Sequence, residues 1–200
     1  MGKLDRDFVY KKFKKILIEN FGKDKAKSVW KESNSNLKQL MKKNKEAGFD
    51  EKMMVLPLFA IYKGLKINGI ENALDLLKKY GEQRGKEISH IIEKITSIPG
   101  VSKLLWKNMP SLMKKTSSPK KGYERRIVSE TEDLVGVDIL TCPLCEMAKK
   151  LGAPEIASVV CLIDKGQMSG FKYIEYTRTM SRGDGDEYCD YRLRFNKDKN

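Results

Sequence analysis

The spacing of apolar residues changes once along this chain, and that change limits the folds open to it. Up to about residue 115, apolar side chains recur every three or four positions, the period of a helix face. Beyond about residue 123 they recur every second position or in short runs, the pattern of strands. The two patterns together specify an α+β fold: a Lys-rich helical N-terminal region, then a small four-stranded antiparallel sheet with two helices. Residues 1–115 form the helical region and residues 123–200 a Cys-bearing α/β unit carrying the candidate active site. Between them, residues 116–122 (Thr-Ser-Ser-Pro-Lys-Lys-Gly) are small, polar and helix-breaking, and read as a linker.

Charge divides at the same place. The 200-residue chain has a formal net charge of +13. Residues 1–115 hold 26 basic and 13 acidic residues, and residues 116–200 hold 14 of each. Of the 26 basic residues in the front, 24 are Lys. Lys on the outer face of an amphipathic helix serves solubility. Nucleic-acid readers add Arg and exposed aromatics for base contacts and stacking, and the front has only Arg6 and Arg84. A basic surface for nucleic acid or anionic lipid is therefore the weakest of three readings. All 4 Cys lie in the back, too few for a secreted disulfide scaffold. No apolar signal segment or membrane-length run is evident, and Arg6 breaks the myristoylation pattern. A cytoplasmic location is expected, and an oligomer is compatible with the sequence.

In the front, Phe8, Val9, Phe13, Ile16 and Leu17 predict a helix ended by Gly22. Further helices are expected over 24–46 and 50–66, over a stretch from Ile70 closed by Gly81, over 82–97 and over 101–115. The phrases around Gly22 and Gly81 echo each other, each an aromatic, a glycine and a charged restart. His90, the only His, reads as a packing or surface residue.

In the back, residues 123–129 and 134–141 predict a hairpin that runs directly into Cys142-Pro143-Leu144-Cys145. Pro143 suits a first helical position, which makes Cys142 an N-cap over a helix 143–151. A helix from 155 to 164 follows, ended by Gly166. Strands are expected over 171–180 and 187–195, joined by a Gly-rich turn. In the last strand Cys189, Tyr191, Leu193 and Phe195 share one face.

Four features carry chemistry. The helix N-terminus beside Cys142 favours thiolate, the form that attacks carbon or binds metal. Cys161 and Asp164 lie on one helix face. Asp164, near a negative helix end, either pairs with a cation or keeps a raised pKa suited to acid–base work. Arg178, sharing a face with Ile174, Tyr176 and Met180, needs an anionic partner from the protein or a ligand. Cys145 reads as a small buried hydrophobe. Cys142-x2-Cys145 with Cys161 and Cys189 supplies four thiols, although the spacing matches zinc ribbons poorly. The thioredoxin arrangement is disfavoured, because a hairpin precedes the motif and no Pro follows Pro154.

From Thr141 to Phe195 the chain resembles the L-2-amino-thiazoline-4-carboxylic acid hydrolase family. The residues that carry the resemblance are Cys142-Pro143, Leu151-Gly152, Cys161-Leu162-Ile163-Asp164, Tyr176-Thr177-Arg178-Thr179 and Gly185-Asp186-Glu187-Tyr188-Cys189-Asp190-Tyr191-Arg192. Cys145 departs from that pattern. The resemblance implies ring-opening hydrolysis of a cyclic C–N bond, giving N-carbamoyl-cysteine from the aminothiazoline. Cys142, Asp164 and Cys189 are then candidate catalytic residues. Arg178 and Tyr176 are candidates to bind a small-molecule carboxylate substrate. Cys142, Cys161 and Cys189 are candidate donors to a divalent metal such as zinc; the sequence itself names no cofactor. The reading from a different class is a non-catalytic domain that binds a small molecule or metal as a sensor.

Overall fold

The computed structural model describes residues 2–196. It is an α+β protein. Helices α1 (Phe13–Lys43), α2 (Leu56–Ile67), α3 (Ala73–Thr96) and α4 (Val101–Thr116) precede strands β1 (Glu124–Glu130) and β2 (Leu134–Thr141). Helices α5 (Pro143–Lys150) and α6 (Ala157–Met168) follow, then β3 (Ile174–Thr177) and β4 (Cys189–Phe195). The sheet order is β1-β2-β4-β3, with every neighbouring pair antiparallel.

The structure departs from the sequence reading both in the helical front and in the back. Helix α1 begins at Phe13, not Phe8, because Asp7 accepts hydrogen bonds from the Val9 and Tyr10 amides and holds a turn there. Gly22 does break the helix, at φ 76°, ψ 169°. Gly81 does not, and the echo between the two glycines is one of sequence only. Helix α3 runs through Gly81 and Gly85, and α6 runs through Gly166 instead of ending there. The reason is a close helix crossing. A Cβ on Gly166 would lie 2.5 Å from Gly85 Cα, and one on Gly85 would lie 3.0 Å from the Leu162 carbonyl oxygen. Glycine inside a helix costs about 1 kcal/mol against Ala, and here it admits backbone-to-backbone contact that no side chain permits. The strand expected over 171–180 shortens to Ile174–Thr177.

Two apolar cores result. The first joins Tyr10, Phe13, Leu17, Val29, Leu58, Ile61, Leu77 and Tyr80 of the front to Cys145 of α5, to Ile156 just before α6, and to Val159 and Ile163 of α6. Hydrophobic packing therefore runs across the compositional boundary at 116–122. The second core packs Trp106, Met109 and Met113 of α4 on Val135, Val137, Ile139, Cys189, Leu193 and Phe195 of the sheet. Trp106 stacks on Phe195 with ring centres 5.4 Å apart. Arg125 donates to the Lys114 and Ser117 carbonyls and ties the end of α4 to β1. Among the described residues no helix is long and apolar enough to cross a membrane.

Candidate functional site: a thiol-lined cavity between the cores

The seam between the two cores is a cavity of about 240 Å³ lined by all four cysteines together with Ile139, Val160, Asp164 and Tyr191. A second cavity of about 360 Å³ adjoins it, sharing Asp50, Tyr123, Ile139, Asp164, Gln167 and Tyr191, and adds Met109, Met113, Phe171 and Lys121. The pair forms a cleft with thiols at one end and apolar walls at the other, the usual chemistry of a small-molecule site.

Local sequence places the thiols. Strand β2 delivers Cys142 in extended conformation, φ −120°, ψ 115°, and Pro143 opens α5 immediately after it. Cys145 is one turn further on and only 4% exposed, whereas Cys142 and Cys161 are half-buried. The Cys145 S–H is shared between the Cys142 and Cys161 sulfurs, which makes it the hardest thiol of the four to ionise. It donates to Cys142 and, with the Cys145 and Leu144 amides at the helix start, holds that thiol below its ordinary value against the effect of burial. The same S–H holds Cys161 down to about 7, again against burial, assisted by Ser181 and by the Arg178 charge. Cys189 differs: burial pushes it up to about 12, although the Arg182 amide donates to its sulfur at 3.2 Å.

Asp164 sits on α6 one turn after Cys161. Helix α6 continues to Met168, so Asp164 is not in its last turn. Its pKa is raised, as expected, but burial is the cause rather than a helix end. Two groups oppose the rise: the Tyr191 hydroxyl donates at 2.6 Å and Arg178 Nη1 at 3.0 Å. Arg178 also donates to the Cys161 carbonyl at 3.0 Å and lies over the Tyr191 ring, 5.5 Å from its centre. Its side chain is 4% exposed. The anionic partner that Arg178 requires is thus supplied by the protein.

Arg178 follows the end of β3, and Asp190 of β4 fixes its position. The Asp190 carboxylate accepts from the Thr179 amide at 2.8 Å, the Thr179 hydroxyl at 2.6 Å and the Met180 amide at 2.6 Å. Next along the chain, Asp186 accepts from the Ser181 amide at 2.6 Å. The Gly-rich segment forms a tight turn, Arg182–Asp184. Gly183 approaches Cys161 Sγ so closely that no Cβ fits between them.

The structure therefore brings Cys142, Cys161, Asp164 and Cys189 to one cavity. Arg178 and Tyr176 are not on its wall; Arg178 backs Asp164, and the Tyr176 hydroxyl is buried without a partner. Among the described residues no three His, Cys, Asp or Glu side chains converge as a metal site. Cys142 and Cys161 are engaged with Cys145, and Cys189 with the Arg182 amide. Sequence reasoning missed the role of Cys145, the Tyr191 hydroxyl bond, and Asp50 and Lys121, which pair at 3.1 Å beside the cleft. Tyr191 carried a signal, since it shares a strand face with Cys189. Lys121 carried none.

An α+β scaffold with a cysteine-lined cavity and a shielded carboxyl group is the class of protein these features define. The chain belongs to the L-2-amino-thiazoline-4-carboxylic acid hydrolase family, whose model matches residues 50–193. The match reaches well upstream of Thr141 and takes in α2, α3 and α4. No curated protein matches this chain. Among solved structures it is similar to an unliganded Fe(II) H-NOX protein from K. algicida, at 9% identity, 96% of this chain, 97% of that chain and a TM-score of 0.39. It is also similar to an Fe(II)NO H-NOX protein from S. oneidensis, at 10% identity, 98% of this chain, 99% of that chain and a TM-score of 0.37. Likeness this shallow supports no functional argument.

Proposed function

We propose that this protein is a hydrolase that opens a cyclic amidine-type ring resembling 2-amino-thiazoline-4-carboxylate, acting in the thiol-lined cavity. The observation that carries the reading is the placement of two thiols with lowered pKa, Cys142 and Cys161, beside Asp164 in one cavity. Family membership supports it.

A thiolate attacks the ring carbon bonded to both nitrogens and the ring sulfur. The ring C–S bond breaks, and the departing sulfur takes a proton from Asp164, whose carboxyl is shifted by burial toward the protonated form. Water then adds to the enzyme-bound isothiourea carbon while Asp164 accepts its proton, and the enzyme thiolate leaves. The product is the N-carbamoyl thiol. This corrects the C–N cleavage expected from the sequence: both C–N bonds survive, the C=N bond is hydrated and the ring opens at sulfur.

Cys161 is the attacking group in this proposal and Cys142 is its neighbour in the thiol cluster. Cys189, with its raised pKa, stays protonated and packs the wall. Arg178 acts as a positioning residue that holds Asp164 and favours the Cys161 thiolate. Tyr176, behind the wall, supports that arrangement. Lys121, which pairs with Asp50 beside the cleft, is the cation on its wall that would exchange that partner for a substrate carboxylate.

The test incubates the full chain with the aminothiazoline carboxylate, with and without chelator, and follows the new free thiol and the carbamoyl product by mass. Turnover that survives chelation and is lost in Cys161→Ser supports the reading. A small molecule bound without turnover replaces it with the sensor-domain reading, which the apolar walls at Met109, Met113 and Phe171 favour.

A further inference from the structure

We propose that Cys161 and Cys145 form a hydroperoxide-sensitive switch, in which Cys161 is oxidised and Cys145 resolves it as an intramolecular disulfide. Hydrolysis gives Cys145 no direct step, yet it is not an inert core residue. Its thiol lines one cavity together with those of Cys142 and Cys161, and both bear on its ionisation. It comes from α5 while Cys161 comes from α6, so a bond between them joins two helices across the cavity. The cavity gives a small oxidant access to Cys161, which is half-buried, while Cys145 is the more deeply buried of the two. This is the arrangement of an oxidisable thiol with a resolving partner next to it.

A second observation concerns Ser181. Its hydroxyl is buried beside Cys161 and has no hydrogen-bond partner. A sulfenic acid on Cys161 would carry an oxygen that can satisfy it. Cys142 lacks such a neighbour, which assigns the first oxidation to Cys161.

The electrons balance with a hydroperoxide as the oxidant. The Cys161 thiolate attacks the outer oxygen, the O–O bond breaks, and the alkoxide or hydroxide leaves with a proton from water. Cys145 then attacks the sulfenic sulfur; the S–S bond forms, the S–O bond breaks, and hydroxide leaves with the Cys145 proton as water. Two thiols supply two electrons.

The experiment treats the reduced full chain with hydrogen peroxide near neutral pH and maps peptides without reduction. The expected result is loss of two hydrogen atoms, a cross-linked pair containing Cys145 and Cys161, and reversal by dithiothreitol. In Cys145→Ser, Cys161 is expected to be labelled by a sulfenic-acid trap or to advance to sulfinic acid. A disulfide between Cys142 and Cys145, oxidation confined to methionine, or thiols that stay reduced would each overturn the proposal. Loss of turnover on oxidation depends on the hydrolase reading. The mass change does not, so failure of one is distinguishable from failure of the other.

Discussion

Among the described residues, the side chains of Arg84 and Arg178 are both buried, and they do different work. Arg84 of α3 is 3% exposed; it donates to Glu87 at 2.8 Å and to the Phe8 carbonyl at 2.9 Å, and covers the Phe8 ring. Its carboxylate partner turns outward to Lys12. Arg178 is as deeply buried and makes the same kinds of bond, to a carboxylate, a carbonyl and a ring. Its carboxylate partner, Asp164, turns inward to a cavity that also holds four thiols. The chemistry of the ion pair is the same in both places. What separates a fold clamp from site machinery is what the paired carboxylate faces.

The largest effect should come from the thiol that the Arg178 cluster serves. Cys161→Ser is expected to lower turnover by roughly 1000-fold or more, with an unchanged melting temperature, measured as product thiol release. Retained turnover would dissolve the distinction between the two arginine sites. Next comes the direct comparison of the arginines. Arg178→Gln should lower kcat by about 100-fold, because Asp164 loses its anchor. Arg84→Gln should leave kcat alone and cost about 2 kcal/mol in urea unfolding. Equal loss of activity in both would show that Arg178 is only structural.

A smaller effect is expected at the cleft wall. Lys121→Gln should raise KM by about 10-fold with kcat nearly unchanged, since an exposed cation binds ground and transition states alike. Loss in kcat alone would remove Lys121 from carboxylate binding. The smallest change is in pH. With Cys161 at about 7, its alkylation by iodoacetamide should rise with pH through a midpoint near that value. Arg178→Gln removes a charge that favours the thiolate, so the midpoint should move upward. The linked stability has the same sign. Cys161 ionises more readily folded than unfolded, so its contribution is full above the reference value of 9.0 and is lost as pH falls through about 7.

Much of the back was readable from residues alone. The β1–β2 hairpin, Cys142 at a helix start, and the alternation of Cys189, Leu193 and Phe195 all follow from period and breaker residues. So does the shared face of Cys161 and Asp164. The glycines misled, because a helix stop and a close helix crossing use the same residue. Gly81, Gly85 and Gly166 lie inside α3 and α6 because those helices meet there, and one sequence carries no record of which helix lies opposite. The internal partner of Arg178 was open for the same reason: burial demanded an anion without saying whether protein or ligand provides it. Cys145 was undervalued because a single buried cysteine is ordinarily a small hydrophobe.

Most of the elements, the division of charge and the kinds of reactive group follow from residues a few positions apart. That the start of α5, α6 and β4 bring four cysteines to one cavity, that Asp164 faces it, and that Arg178 stands behind Asp164 is visible only once the chain is folded. Those are facts of packing between residues far apart in the chain. Hydrogen bonding and burial at such contacts, rather than residue type, set which thiol ionises.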